Sequence, residues 1–274
     1  MADPDLPRPE LYGPYLRERR GAGLPVLFVH GNGVDHRSLL PLDAAVARAG
    51  GCERWYLDLP GFGRTATLPG AGELTHYANW LDNALRQLFG TQRFALVAHS
   101  MGALLAQEIA DRLPGQVAGL ALLAPVIYPQ ISMRNLPEHR IIVENEELMN
   151  GLESADRAAY SKQSVIRTEE NWERFKCFVL PGLRAANLRA MARLTKNYEL
   201  RPLPVQREHQ QNFPVLAISG QQDHVVGYRD VLDLHRRYRR LTVEVITEAG
   251  HNLHIDQPVP VGHLIERWAK QITA

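Results

Sequence analysis

The chain of 274 residues lacks any long run of apolar residues. No stretch approaches the roughly 18 to 20 consecutive apolar residues that a membrane-spanning helix needs. The amino-terminal residues 1–23 also lack an apolar segment of the length found in signal peptides. We therefore expect a cytoplasmic protein with no membrane span.

The chain also lacks an excess of charge of either sign. Lysine and arginine number 31 against 30 aspartate and glutamate residues, which gives a formal net charge of +1. Binding to nucleic acid usually requires a strongly positive face, and such a composition does not predict one. The expected partner is therefore a small-molecule substrate and no nucleic acid, and the sequence carries no signal for the oligomeric state.

Cysteines are few, and motifs for metals or cofactors are missing. Cys52 and Cys177 are far apart, and neither belongs to a cluster with zinc-ligand spacing. The segment from Asp58 to Gly63 lacks the Lys-Ser/Thr pair of a phosphate loop and the spacing of a dinucleotide fingerprint, so we interpret it as a structural turn that Asp58 braces. The sequence therefore predicts no metal and no cofactor, and its cysteine usage is typical of a reducing compartment.

Short apolar runs alternate with longer helical patterns along much of the chain. This alternation predicts parallel strands joined by helical crossovers, hence an α/β fold with helices on both faces of the sheet. Residues 11–20 predict one or two antiparallel edge strands. The predicted strands are 25–30, 54–59, 94–99, 119–125, 213–220 and 242–248, and the predicted helices are 38–48, 76–89, 101–113, 228–238 and 261–272.

The alternation stops after residue 125. Residues 126–211 show no convincing strand but several helical patterns, among them 141–152 and 169–178. We therefore predict a core domain of residues 1–125 and 212–274, with residues 126–211 as a helical lid over a pocket. The alternative is that these amphipathic helices simply pack on the main sheet.

Ser100 lies between a predicted strand and a predicted helix, in the segment Ala98-His99-Ser100-Met101-Gly102. A sharp turn from strand to helix places a serine in a strained backbone conformation and exposes its hydroxyl at the edge of the sheet. The usual pattern is Gly-x-Ser-x-Gly, and Ala98 replaces its first glycine. Because serine also commonly caps a helix, a catalytic interpretation requires a base and an acid as well.

A base and an acid follow two other predicted strands. His251 comes after the last strand and Asp223 after the one before it. A serine needs a histidine to take its proton, and that histidine needs a carboxylate to orient it. The carboxyl ends of parallel strands share one edge of the sheet, so we expect both side chains near Ser100. His254 is the alternative base, and the alternative acids are Asp230, Asp233 and Asp256.

Two backbone amides are predicted to bind the oxyanion that forms when a carbonyl is attacked. One belongs to Met101, at the head of the helix after the serine. The other belongs to Asn32, in the loop that follows the first parallel strand. In the same loop, we expect His30 to brace the backbone through hydrogen bonds and not to act as the base.

These motifs together resemble those of the α/β-hydrolase superfamily. In that superfamily the catalytic residues also follow the chain order serine, acid, histidine. The resemblance implies a mostly parallel eight-stranded sheet, a cap domain and hydrolysis through an acyl-enzyme without a cofactor. The matching segments are His30-Gly31-Asn32-Gly33, Asp58 to Gly63, Ala98 to Gly102, Gly220 to Asp223 and Gly250-His251.

Within this superfamily, Ser100 is similar to the nucleophile of esterases, thioesterases and lactonases, whereas epoxide hydrolases and haloalkane dehalogenases use an aspartate. The predicted activity is therefore hydrolysis of a small or medium ester, thioester or lactone. One alternative is carbon-carbon bond hydrolysis of the meta-cleavage-product type, although Val34-Asp35 and Ala103 depart from its usual motifs. The others are a cofactor-free perhydrolase and, in a different class, a non-catalytic ligand receptor.

Overall fold

The computed structural model describes residues 15–274. The strands are β1 (Leu16–Gly21), β2 (Leu24–Val29), β3 (Cys52–Leu57), β4 (Phe94–His99), β5 (Val117–Leu123), β6 (Val143–Glu144), β7 (Ile166–Arg167), β8 (Gln211–Gly220) and β9 (Tyr238–Ile246). The α-helices are α1 (Asp43–Ala49), α2 (Leu74–Phe89), α3 (Met101–Arg112), α4 (Glu146–Gly151), α5 (Ser154–Gln163), α6 (Glu169–Phe178), α7 (Leu180–Ala185), α8 (Leu188–Lys196), α9 (Leu253–Asp256) and α10 (Pro258–Thr273). Among these residues, no helix has both the length and the apolar character needed to cross a membrane.

The main sheet of the described residues has seven strands in the order β1-β3-β2-β4-β5-β8-β9. Only β1 is antiparallel to its neighbour, and the other pairs are parallel. Every residue of β4 and β5 is buried, as expected for strands covered by helices on both faces. The predicted α/β fold with a mostly parallel sheet is confirmed. Eight strands were expected, and residues 11–14 of the predicted edge segment lie outside the described residues.

Two predicted helices differ from the structure. The segment predicted as helix 38–48 is a 3₁₀ helix (His36–Leu42) followed by α1, because Pro41 has no N–H to continue an α-helical ladder. The segment predicted as helix 228–238 is a shorter 3₁₀ helix (Asp230–Arg236). Strand β9 then begins at residue 238 instead of 242. Its pairing with β8 supplies backbone hydrogen bonds to residues whose side chains have no strand-like pattern.

The residues between β5 and β8 form the inserted segment, which contains α4 to α8. The prediction that this region has no strand is wrong, since β6 and β7 form a two-stranded parallel ladder. Each of these strands has only two residues, which is too few to produce a periodic pattern in the sequence. A second apolar cluster joins the inserted segment to core residues Val34 and Ile255, and its other buried members are Met149, Tyr160, Trp172, Phe175, Val179 and Leu180.

Helix α3 packs closely against the end of β2 at Gly102. A Cβ atom at this position would lie 2.3 Å from the backbone oxygen of Val29 and 2.6 Å from that of His30. Both neighbours are backbone atoms, so they move only if the strand moves. Gly102 therefore sets the separation between the helix and the sheet.

We expect Gly102→Ala to lower the free energy of unfolding by about 2–3 kcal/mol, because the added methyl group overpacks a rigid contact. Gly151→Ala is the matched control, since a Cβ there meets no atom within 4 Å, and it should change stability by no more than about 0.5 kcal/mol. Urea denaturation of both variants measures the difference. Equal stability of the two variants would contradict this account of the packing.

Candidate active site

Ser100 occupies the turn between β4 and α3. Its φ of 54° and ψ of −117° lie outside the regions that residues other than glycine normally adopt. The turn is held by a hydrogen bond of 2.9 Å from the Ser100 amide to the oxygen of Leu123, and by one of 3.0 Å from the Ala103 amide to the oxygen of Ser100. Backbone strain of this kind costs about 1–3 kcal/mol and persists only where the surroundings impose it.

Ser100, His251 and Asp223 come together at the carboxyl edge of the sheet. Ser100 Oγ lies 3.0 Å from His251 Nε2, and His251 Nδ1 lies 2.9 Å from Asp223 Oδ2. A carboxylate only accepts hydrogen bonds, so Nδ1 carries the ring proton and Nε2 accepts from the serine hydroxyl. In this arrangement a histidine can take the proton of a serine.

The carboxylate of Asp223 is fully buried, and its surroundings fix its orientation. Its second oxygen, Oδ1, accepts hydrogen bonds from the amides of Val225 and Val226 at 2.9 and 3.0 Å. These two bonds leave Oδ2 directed at His251. Asp223 therefore has the geometry of an orienting acid.

The alternative base and two of the alternative acids lie elsewhere. The ring of His254 is buried, and its Nε2 donates to the backbone oxygen of Ser38 at 2.8 Å. Burial lowers the pKa of His254 to about 4, so this histidine is neutral near pH 7. Asp230 and Asp233 lie in a 3₁₀ helix and form hydrogen bonds with other side chains.

His99, the last residue of β4, contacts both the backbone and the ring of His251. Its Nε2 lies 3.0 Å from the backbone oxygen of His251, and the centroids of the two rings are 4.8 Å apart. Burial, together with the nearby rings of His251 and His254, lowers the pKa of His99 well below its ordinary value. The neutral ring therefore donates its proton to the His251 carbonyl. The sequence assigned no role to His99, and only its place beside Ser100 could have suggested one.

Asn32 and Met101, the two predicted donors to an oxyanion, lie beside Ser100. Met101 is the first residue of α3, where backbone N–H groups have no partner within the helix. Asn32 lines the same cavity as Ser100. Met101 is therefore adjacent to Ser100 in the chain, and Asn32 shares the wall of its cavity.

His30 braces the loop that contains Asn32, which confirms the predicted structural role. His30 Nδ1 donates to the oxygen of Gly31 at 2.8 Å, and His30 Nε2 accepts from the amide of Leu59 at 2.9 Å. Burial lowers the pKa of His30, so its ring stays neutral and keeps one donor and one acceptor.

Asp58 also braces neighbouring loops, as predicted. It accepts hydrogen bonds from the backbone amide and ring of His36, at 3.0 and 2.8 Å, and forms an ion pair of 2.5 Å with Arg17. Burial alone would raise the pKa of Asp58, but the hydrogen bonds from His36 hold it well below its ordinary range. The charged carboxylate therefore ties the start of the described chain to the loops around the site.

A cavity of about 740 Å³ opens above Ser100 and His251. This volume is within the range found for sites that bind small molecules. Both the core and the inserted segment contribute to its walls. The apolar lining consists of Val126, Pro129, Ile131, Leu183, Met191, Val225 and Val226.

Asp256 links the loop of His251 to the inserted segment. Its Oδ2 accepts from the amide of Gly250 at 2.8 Å, and its Oδ1 accepts from Asn171 Nδ2 at 2.9 Å. The hydroxyl of Tyr160 donates in turn to Asn171 Oδ1 at 2.9 Å. Burial raises the pKa of Asp256 to about 7, against the effect of these hydrogen bonds. Sequence reasoning considered Asp256 only as an alternative acid and missed this contact.

A family model described as "Alpha/beta hydrolase family" matches residues 26–262. The match includes Ser100, Asp223 and His251 and extends over most of the chain. The chain belongs to the alpha/beta hydrolase family.

Individual proteins also resemble the chain. An alpha/beta superfamily hydrolase from Oenococcus oeni PSU-1 aligns with a TM-score of 0.86 and 29% identity, over 94% of this chain and 96% of that one. A thermophilic esterase from Thermogutta terrifontis aligns with a TM-score of 0.63 over 94% and 93% of the two chains, and its 22% identity shows the fold alone. A pimeloyl-[acyl-carrier protein] methyl ester esterase from Shewanella woodyi is 33% identical over 107 residues, which are 39% of this chain and 38% of that relative.

The raised pKa of Asp256 predicts that stability depends on pH. Between about pH 4 and pH 7 the folded state retains the proton of Asp256, whereas the unfolded state, with the ordinary pKa of 3.8, has lost it. The free energy of unfolding therefore falls as pH rises through this range. Asp256→Asn has no proton to lose at this position. Between pH 4.5 and pH 8, we expect wild-type protein to lose about 1–3 kcal/mol more stability than this variant.

Urea denaturation at the two pH values measures this difference. The exposed Glu138 provides a control, because Glu138→Gln removes a carboxylate without touching the buried one and should follow wild type. If Asp256→Asn and wild type show the same pH dependence, the carboxyl of Asp256 is ionised across the whole range and the prediction fails.

Proposed function

We propose that this protein is a serine hydrolase that cleaves a small or medium carboxylic ester, thioester or lactone through an acyl-enzyme. The observation that carries the proposal is the chain of hydrogen bonds from Ser100 Oγ to His251 at 3.0 Å and from His251 to Asp223 at 2.9 Å. Membership of the alpha/beta hydrolase family supports it. So does the partial similarity to a protein named as a methyl ester esterase.

In the proposed first half of the reaction, Ser100 Oγ attacks the carbonyl carbon of the ester while His251 Nε2 takes the hydroxyl proton. Asp223 stabilises the imidazolium ion that forms and keeps it oriented. The amides of Asn32 and Met101 bind the negative charge on the former carbonyl oxygen. His251 then protonates the departing alcohol, which leaves the acyl group on Ser100.

In the second half, His251 takes a proton from a water molecule, and the resulting oxygen attacks the acyl carbon. The bond to Ser100 Oγ breaks, and the proton on His251 returns to the serine. The products are the carboxylic acid and the free enzyme. His99 acts in both halves as a positioning residue, because its neutral ring holds the backbone of His251 without adding a second positive charge beside the imidazolium.

We propose further that residues 126–211 act as a cap over this site, on a core domain of residues 1–125 and 212–274. The support is the cavity wall, to which the inserted segment contributes Ile131, Leu183 and Met191. The cap would therefore set the shape of the substrate that reaches Ser100.

The nucleophile is tested with Ser100→Ala on a panel of p-nitrophenyl esters of rising acyl length, with lactones and thioesters beside them. We expect kcat to fall by at least about 10³-fold, because no other group can form the acyl-enzyme. A fluorophosphonate probe should label wild-type protein at Ser100 and leave Ser100→Ala unlabelled. Ligand-induced stabilisation without labelling or turnover would instead indicate a non-catalytic binding protein.

The assignment of His251 as the base is tested by replacing, one at a time, His251 and the nearby His254. His251→Gln should lower kcat by about 10³-fold or more, because it removes the proton acceptor of Ser100. His254→Gln should keep kcat within about tenfold of wild type, since His254 bonds to Ser38 and not to Ser100; its cost should appear as a stability loss of about 1–3 kcal/mol. Equal losses of kcat in the two variants would refute the assignment of His251.

A further inference from the structure

One wall of the active-site cavity contains an arginine that forms no ion pair with a carboxylate of residues 15–274. Arg134 lines this cavity together with Ser100 and His251. Its guanidinium is partly buried and donates three hydrogen bonds, all to backbone oxygens. These oxygens belong to Tyr128, Val225 and Pro129, at 2.8, 2.8 and 2.6 Å.

The three bonds fix the position of the guanidinium and leave donors free. An arginine has five N–H groups, one on Nε and two on each terminal nitrogen. One N–H on each terminal nitrogen of Arg134 is therefore unused by these contacts. Two donors in a planar group match the two oxygens of a carboxylate.

The charge of Arg134 also lacks a close counter-ion among residues 15–274. Asp223 and Asp230 act on it only at longer range, and both are hydrogen-bonded to other groups. Burial lowers the pKa of Arg134, but a guanidinium stays charged at neutral pH. A partly desolvated cation without a partner is unfavourable, and an anion that binds beside it relieves that cost.

Two lysines add positive charge to the cavity lining. Lys162 and Lys196 line the cavity and are exposed to solvent. The one acidic residue of the lining, Glu199, forms an ion pair of 2.6 Å with Arg201. Cations that converge on a pocket with apolar walls raise the local concentration of anionic ligands.

Tyr198 offers a further donor next to Arg134. It lines the cavity, and among the described residues its hydroxyl has no hydrogen-bond partner. Burial raises the pKa of Tyr198, so the phenol keeps its proton. The neighbouring positive charge of Arg134 and a neutral hydroxyl donor together form a pair suited to a carboxylate.

We propose that Arg134 and Tyr198 form a subsite for a carboxylate that the substrate carries in addition to its ester group. The preferred substrates would then be monoesters of dicarboxylic acids, with the methylene chain against the apolar lining and the free carboxylate at Arg134. This inference rests on the proposed serine hydrolase function, because the ester must reach Ser100 while the carboxylate reaches the subsite.

The proposal is tested by comparing the monomethyl esters of dicarboxylic acids with four to eight carbons with methyl esters of the monocarboxylic acids of equal length. For at least one length, we expect wild-type kcat/KM to be tenfold or more higher for the acid-bearing ester, mainly through a lower KM. The ratio should shrink in 0.5 M NaCl, because salt screens the attraction.

Variants then test whether Arg134 and Tyr198 cause the higher kcat/KM for the acid-bearing ester. Arg134→Gln should reduce the ratio of the two kcat/KM values by tenfold or more, and Tyr198→Phe should reduce it by a smaller factor of about three. Arg140→Gln is the control, because Arg140 is an exposed arginine outside the cavity, and it should keep the wild-type ratio. Because Arg134 also holds three carbonyls, Tyr198→Phe tests the subsite without disturbing that loop.

Calorimetry of the uncleaved esters with Ser100→Ala protein gives a result that does not depend on turnover. For at least one chain length, the monomethyl ester of the dicarboxylic acid should bind at least tenfold more tightly than the methyl ester of the monocarboxylic acid of equal length, which carries no carboxylate. Equal binding, or equal wild-type kcat/KM for the two ester series, overturns the subsite and leaves the proposed function in place. Failure to hydrolyse any ester overturns the proposed function, while the calorimetry still decides the subsite.

Discussion

The geometry of the candidate site depends on the close approach of two backbones that have no side chain between them. Gly102 lets α3 contact the carbonyl groups at the end of β2, and an added Cβ at Gly31 would lie 3.0 Å from that of Ser100. This packing keeps Ser100 at a positive φ, because the chain has no room to relax. The hydroxyl is therefore presented at the edge where the loops after β8 and β9 place Asp223 and His251.

Buried polar groups hold the histidine loop on two sides. His99 donates to the carbonyl of His251, and Asp256 accepts from the amide of Gly250. Burial shifts the pKa of both groups towards the neutral form, and the neutral ring of His99 positions the backbone without adding a charge beside the imidazole. Through Asn171, the same carboxyl connects this loop with the inserted segment. Hydrogen bonds therefore join the inserted segment directly to the loop that carries the histidine.

Elements with long, regular sequence patterns agree best with their predicted ranges. The buried strand β4 and the helix α6 coincide with their predicted ranges, since apolar runs and helical periodicity are local signals. Strand β9 begins four residues early and β6 and β7 were not predicted, because backbone pairing with a neighbour, not side-chain pattern, forms these segments. Ser100, Asp223 and His251 were chosen from their positions after strands, and the structure places them within hydrogen-bonding distance of one another.

The sequence by itself determined the class of the fold and which serine, aspartate and histidine could meet, because the carboxyl ends of parallel strands share one edge. The tertiary structure alone decided what surrounds them. Asn171 and Asp256 bond across 85 positions of the chain, and Arg134 bonds to the oxygen of Val225 across 91. Contacts at such separation follow from how the inserted segment packs on the core, and no local periodicity encodes that packing. The cavity and its charge were therefore also decided only by the tertiary structure.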